Sequence, residues 1–163
     1  MSDKTSEKKT NAVRELEAAG CAFRTHSYDP ECALAGVEVA ALLHQNPDAV
    51  FKTLVTQGKS GAHYVFMVPV ACSLDVKRAA KAVGEKSIEM VKSKDLLGLT
   101  GYIHGGCSPV GMKKPFITAC DETAQLFDTI IFSGGRRGLQ LEMSPLELAR
   151  FMNVCFVDLV EHP

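Results

Sequence analysis

Residues 49–70 read AVFKTLVTQGKSGAHYVFMVPV, and no other stretch limits the fold as much. Two runs rich in β-branched and aromatic residues, AVFKTLVTQ and HYVFMVPV, flank Gly58-Lys59-Ser60-Gly61. A short glycine-containing link between such runs makes a β-hairpin. Around it the pattern predicts strands over 21–28, 88–91, 116–119, 129–133, 139–142 and 153–159. Helices are predicted over 12–19, 36–43, 74–83 and 93–97, and again from Pro145. Gly20 and Gly84 supply helix stops, Ser73 a cap for the third helix, and Ser144-Pro145 an N-cap with its first helical residue. Strands and short helices are interspersed, with no strictly alternating βαβ pattern. The expected class is α+β: a single domain with a mixed, mainly antiparallel, curved barrel-like sheet surrounded by short helices. A length of 163 residues suits one domain with its own core. Polar residues 1–9 are expected to be a flexible N-terminus, and 10–163 the domain.

Charge and cysteine usage narrow the function classes. The net charge of −1 does not announce a general nucleic-acid binder, although a local basic patch can serve one tRNA-sized partner. No apolar run approaches the roughly 18 residues that span a bilayer, so no membrane role is expected. The opening MSDKTSEKKTNAVREL lacks the apolar segment of a signal peptide, which favours a cytoplasmic location and reduced thiols. None of the six cysteines forms C-x-x-C and none of the five histidines forms H-x-x-x-H. Zinc sites usually show such close ligand pairs, so neither metal nor cofactor is expected.

The loop GGCSPVG, residues 105–111, displays two candidate nucleophiles. A hydrolase elbow needs G-x-S-x-G and the backbone N–H of the residue after serine. Here the spacing is G-x-S-x-x-G, and Pro109 has no N–H, so Ser108 fails as a nucleophile. Cys107 would need a base or cation to become a thiolate; His104 and Lys113-Lys114 are near in sequence, and a space-filling thiol is the plainer reading. The glycines let backbone approach a ligand and aim N–H groups at a carboxylate, phosphate or oxyanion, or else they make an ordinary turn.

Two further features carry alternatives. Alternation puts Val50, Lys52 and Leu54 on one strand face and Phe51, Thr53 and Val55 on the other. Lys52 is then an edge-strand guard or a cation lining a pocket. In FSGGRRGLQLE, Gly134-Gly135-Arg136-Arg137-Gly138 is a hairpin turn whose arginines are solvated or meet phosphates. Lys77, Arg78 and Lys81 share a helix face that reads as a solvated one.

FKTLV, then GGCSPVGMKKP, then FSGGRRGLQLE, in this order, resembles the YbaK/EbsC family of aminoacyl-tRNA editing domains, closest to its free-standing Cys-tRNA(Pro) deacylases. The resemblance covers about residues 23–156. It implies a trans-acting editor that removes a mischarged amino acid, cysteine above all, from tRNA(Pro), with prolyl-tRNA synthetase as a potential partner. It implies that Lys52 is the essential lysine, engaging the terminal adenosine or the ester, with Thr53 beside it and Tyr28 at the pocket rim. It implies that Gly105, Gly106 and Ser108 hold the aminoacyl end through backbone groups, and that Ser133 is the serine of the SGG motif. Lys113, Lys114, Arg136 and Arg137 are the candidates for tRNA phosphate contacts. Gln140 stands where close members carry aspartate, and Ala35 where they carry an aromatic residue. Both changes bear on which amino acid is removed more than on the editing reaction. The competing readings are a non-catalytic module binding tRNA or a synthetase, a deacylase for another amino acid such as alanine, and a thiol-dependent hydrolase or redox protein built on Cys107.

Overall fold

The computed structural model describes residues 8–32 and 34–163. Its strands form two sheets. The smaller is antiparallel throughout, in the order β1 (Arg24–Ser27), β7 (Leu139–Met143), β6 (Ile130–Ser133). The larger runs β4 (Ile88–Met90), β2 (Phe51–Gly58), β3 (His63–Pro69), β5 (Ile117–Asp121), β8 (Val154–Val157). In it β2 pairs antiparallel with β3 and β4, whereas β5 lies parallel to both β3 and β8. Five α-helices accompany the sheets among the described residues: α1 (Asn11–Ala18), α2 (Gly36–Leu42), α3 (Val76–Val83), α4 (Ser93–Thr100) and α5 (Pro145–Met152).

The class is α+β, as expected. The sheets do not close into a barrel: outside the named strands they meet through one parallel bridge, Val50 to Ile131. The 49–70 hairpin forms in the register its sequence predicts, from Phe51 opposite Pro69 to Gln57 opposite His63. Both strands are apolar because this sheet is covered on both sides. Phe51 and Met67 pack with α1 and the small sheet, while Phe66 and Val68 pack with α3 and Leu159.

Helix ends follow local chemistry. Thr10 caps α1 through Val13 N–H, and Ser144 caps α5 through the N–H groups of Leu146 and Glu147. For α3 the expectation of Ser73 is corrected. Asp75 is the cap, its carboxylate accepting from Lys77 and Arg78 N–H, and Leu74 is held outside the helix in a bridge to Val160. The polar start expected to be flexible lies mostly outside the described residues. Of its last two, Lys9 pairs with Glu17 and the Lys8 carbonyl accepts from Arg136. No helix among the described residues is long and apolar enough to cross a membrane.

Candidate functional site

A pocket of about 360 Å³ opens where the outer edge of β2 is left bare. That edge is covered at one end by the Val50–Ile131 bridge and at the other by β4, which pairs only from Thr56 to Gly58. Between the two, no strand covers residues 51–54. The pocket therefore reaches around the strand, and Lys52 and Thr53 both line it despite their opposite alternation. Lys52 lies opposite Val68 on the part of β2 whose outer edge is bare, and it lines the pocket there.

Thr53 presents an oddity. Its Oγ1 is the one buried side-chain nitrogen or oxygen, among the described residues, without a hydrogen-bond partner. Leaving a buried hydroxyl unpaired costs about 1–3 kcal/mol. Thr53 lines the pocket, so this unpaired hydroxyl lies next to the space a ligand would fill.

Another wall of the pocket is the glycine loop, through His104, Gly105 and Cys107. Gly105 adopts φ +88°, a conformation that favours glycine. A Cβ on Gly106 would come within 2.8 Å of Arg136 Cα and 2.9 Å of Arg137 N, so this loop lies backbone on backbone against the β6–β7 turn. Arg137 fastens the contact, donating from Nε and Nη2 to the His104 carbonyl at 3.3 and 3.2 Å. The two glycine-rich motifs thus form one unit in space.

Tyr28, Lys52, Thr53, Gly105, Ser133 and Gln140 all line the pocket. Gly106 and Ser108 lie behind its wall. Ser108 is fully buried, and its Oγ accepts from Val110 N–H within its own turn. Ser133 Oγ likewise accepts from Gly135 N–H. Cys107 touches the pocket but is buried, and burial pushes its thiol up to about 11. A thiol held neutral at physiological pH is a poor nucleophile. Lys113 packs over Gly101, and Lys114 lines a separate cavity with Glu15 and Phe151. Arg136 and Arg137 both bond to backbone carbonyls of this chain. Among the described residues, no group of three or more His, Cys, Asp or Glu could hold a metal ion.

The sequence profile of the aminoacyl-tRNA editing domain matches residues 29–151. A protein of Enterococcus faecalis with the provisional name Cys-tRNA(Pro)/Cys-tRNA(Cys) deacylase EbsC is 40% identical over 160 residues, 98% of either chain. The chain belongs to the aminoacyl-tRNA editing domain family. Solved structures share the fold of this editing domain. One, of a provisionally assigned trans-editing enzyme for prolyl tRNA synthetase, superposes with a TM-score of 0.84 at 24% identity, covering 96% of this chain and 100% of that one. Another, of a hypothetical protein designated APE2540, gives 0.84 at 24% identity, covering 93% and 99%.

The editing domain's pocket also has walls that sequence reasoning missed. Val91 and Leu96, from the β4–α4 segment, and Val70 and Leu139 supply apolar lining. They carry no motif, only the apolar character of any core residue. Gln45 was missed as well. It follows His44, whose φ of +56° ends the α2 region, and it bonds to Gln140 across the fold. No local signal links residues so far apart in sequence.

Proposed function

We propose that this editing domain acts in trans as a deacylase that clears mischarged tRNA(Pro), with cysteine as the amino acid removed. The observation that carries the reading is that Lys52, Thr53 with its unpartnered hydroxyl, and the glycine loop all line one pocket. The name of the Enterococcus relative supports the choice of cysteine and tRNA(Pro).

An aminoacyl-tRNA is an activated ester, so orientation and oxyanion stabilisation supply most of what cleavage requires. Lys52 and the loop's N–H groups hold the ester carbonyl, Tyr28 and Ser133 frame the terminal ribose, and Gln140 lies at the amino-acid end. Lys113, Lys114, Arg136 and Arg137 are the cationic groups available to acceptor-stem phosphates, Arg137 only by leaving or sharing the His104 carbonyl. With Ser108 and Cys107 buried, the attacking atom comes from the substrate or from water. In the first route the substrate's thiolate sulfur bonds to the carbonyl carbon. The bond to the ribose oxygen breaks, that oxygen takes a proton, and a cyclic thiolactone leaves for later hydrolysis, a lyase step. In the second, water attacks and the products are the free amino acid and tRNA, a hydrolase step. Trapping the first product distinguishes them.

Residues 10–163 act as one unit in this reading, and a prolyl-tRNA synthetase that holds the tRNA supplies discrimination the small domain lacks. Such an editor works in the cytoplasm, where tRNAs are charged. The decisive experiment is a deacylation panel of Cys-, Ala-, Ser- and Pro-tRNA(Pro) with Cys-tRNA(Cys), each with and without the synthetase. Rapid release from Cys-tRNA(Pro) is expected. Binding without release from any of them would replace this reading with a non-catalytic module.

A further inference from the structure

Gln140 is only 7% exposed, yet it lines the pocket. Its side chain is locked to Gln45 by a reciprocal pair of amide bonds: Gln45 Nε2 donates to Gln140 Oε1 at 2.7 Å, and Gln140 Nε2 donates to Gln45 Oε1 at 3.3 Å. Each amide has two N–H donors and two acceptor lone pairs, so each keeps one of both after the mutual pair forms. The polar end of the pocket therefore offers a ligand a fixed donor beside a fixed acceptor, both neutral.

The charges around it point the same way. Of the residues lining the pocket, none is Asp or Glu, whereas Lys52 is there with His104, Tyr28 and the buried Cys107. In the small sheet His26 and Ser133 stand opposite Gln140 on the flanking strands, so they share its face. Glu142, two residues along on that face, accepts from Arg24, His26 and Thr129. Burial pushes its carboxyl up, but those three donors outweigh it and hold the group below the usual carboxylate range. From α2, Glu38 accepts from Ala35 N–H and lies outside the lining. An ammonium group entering this pocket meets a resident cation and, among the described residues that line it, no carboxylate. Desolvation and like charge both disfavour that. A neutral primary amine accepts one hydrogen bond and has two N–H donors, so it can use both the donor and the acceptor that Gln140 has left, whereas an ammonium can use only the acceptor.

We propose that Gln140 binds the α-amino group of the aminoacyl ester in its uncharged form, with Gln45 as the residue that positions it. The assignment rests on the deacylase reading only for the identity of the ligand. The pocket thereby reads the protonation state of the substrate: it admits the fraction of aminoacyl ends carrying a free amine, and it penalises the ammonium.

The test is equilibrium binding, so it needs no turnover. The probe is adenosine carrying alanine through a non-cleavable 3′-amide, and the control is the same molecule carrying propionate, which lacks the amine. With an α-amino pKa of about 7.8, the wild-type Kd should fall roughly 50-fold from pH 6.0 to pH 8.5, while the propionyl control stays within about twofold. Gln140→Glu gives the ammonium a counter-charge, and its Kd should vary less than about fivefold over that range. Gln45→Leu should raise the Kd of the alanyl probe about five- to tenfold at pH 8.5 and leave that of the propionyl control within about twofold. Equal pH dependence for the two probes, no binding at pH 8.5, or an unaltered profile in Gln140→Glu would overturn the assignment. Binding with the expected profile but without cleavage of any aminoacyl-tRNA would sink the deacylase reading and leave this one standing.

Discussion

The two walls of the pocket are built on opposite principles. The β2 wall is regular strand and presents side chains, those of Lys52 and Thr53. The glycine wall is irregular and is kept in place by a second glycine-rich turn and an arginine. On the strand wall, activity and folding rest on different side chains, Lys52 on the pocket and Phe51 in the core. The glycine wall depends on close backbone packing and fails when a side chain is added at Gly106.

The sharpest contrast is between Lys52→Ala and Gly106→Ala. The first should lower deacylation at least about 100-fold and leave Tm unchanged, because an oriented cation is worth several kcal/mol in a water-poor site and little to folding. Full activity in this variant would remove Lys52 from the mechanism. Gly106→Ala should lower activity comparably but also stability, by about 1–3 kcal/mol, since its Cβ meets backbone that cannot swing aside. Unchanged stability by urea denaturation would show that the two motifs are not braced against each other.

Thr53→Val separates the walls by sign. Removing an unpartnered buried hydroxyl should raise stability by about 0.5–1 kcal/mol while reducing kcat/KM roughly tenfold. A variant both less stable and fully active would mean that the hydroxyl finds its partner inside the protein.

Smaller still is the effect of Cys107→Ala on activity, expected within about twofold, with resistance of the wild type to alkylation at pH 7.5. The same thiol should report through stability. Burial raises Cys107 to about 11 and Tyr102 to about 12. Both are acids whose neutral forms the fold prefers, so their contribution is complete below their unfolded values and is lost as pH rises toward the folded ones. Tm should decline above about pH 9, more shallowly in Cys107→Ala. An equal decline in that variant would remove Cys107 from the alkaline limb.

What could be read in the sequence divides along the same line. The hairpin, Lys52 within it and the turn residues of the two glycine motifs are local patterns, and local physics fixes them. Pro109 excluded a serine elbow before any coordinates, and the burial of Ser108 agrees. The bracing of Gly106 against Arg136–Arg137 and the pairing of Gln45 with Gln140 were not legible, because each joins segments whose proximity only the folded chain creates. Arg137 is an example. Its sequence position at a hairpin tip suggests a solvated or phosphate-meeting side chain, and it does not reveal the bond to the His104 carbonyl that the fold creates. The bare stretch of β2 was equally hidden, since it depends on where β4 stops pairing.

The small sheet has a further consequence, concerning synthesis. Its first strand, β1, ends immediately before Tyr28, and among the described residues its only sheet partner is β7 near the other end of the chain. During translation the N-terminal strand must wait, edge exposed, until residues up to 143 have left the ribosome. The pocket can then close only as the last quarter of the chain arrives. A chain cut short between residues 111 and 139 carries Lys52 and the first glycine motif but has no finished site, so such truncated products are born inactive.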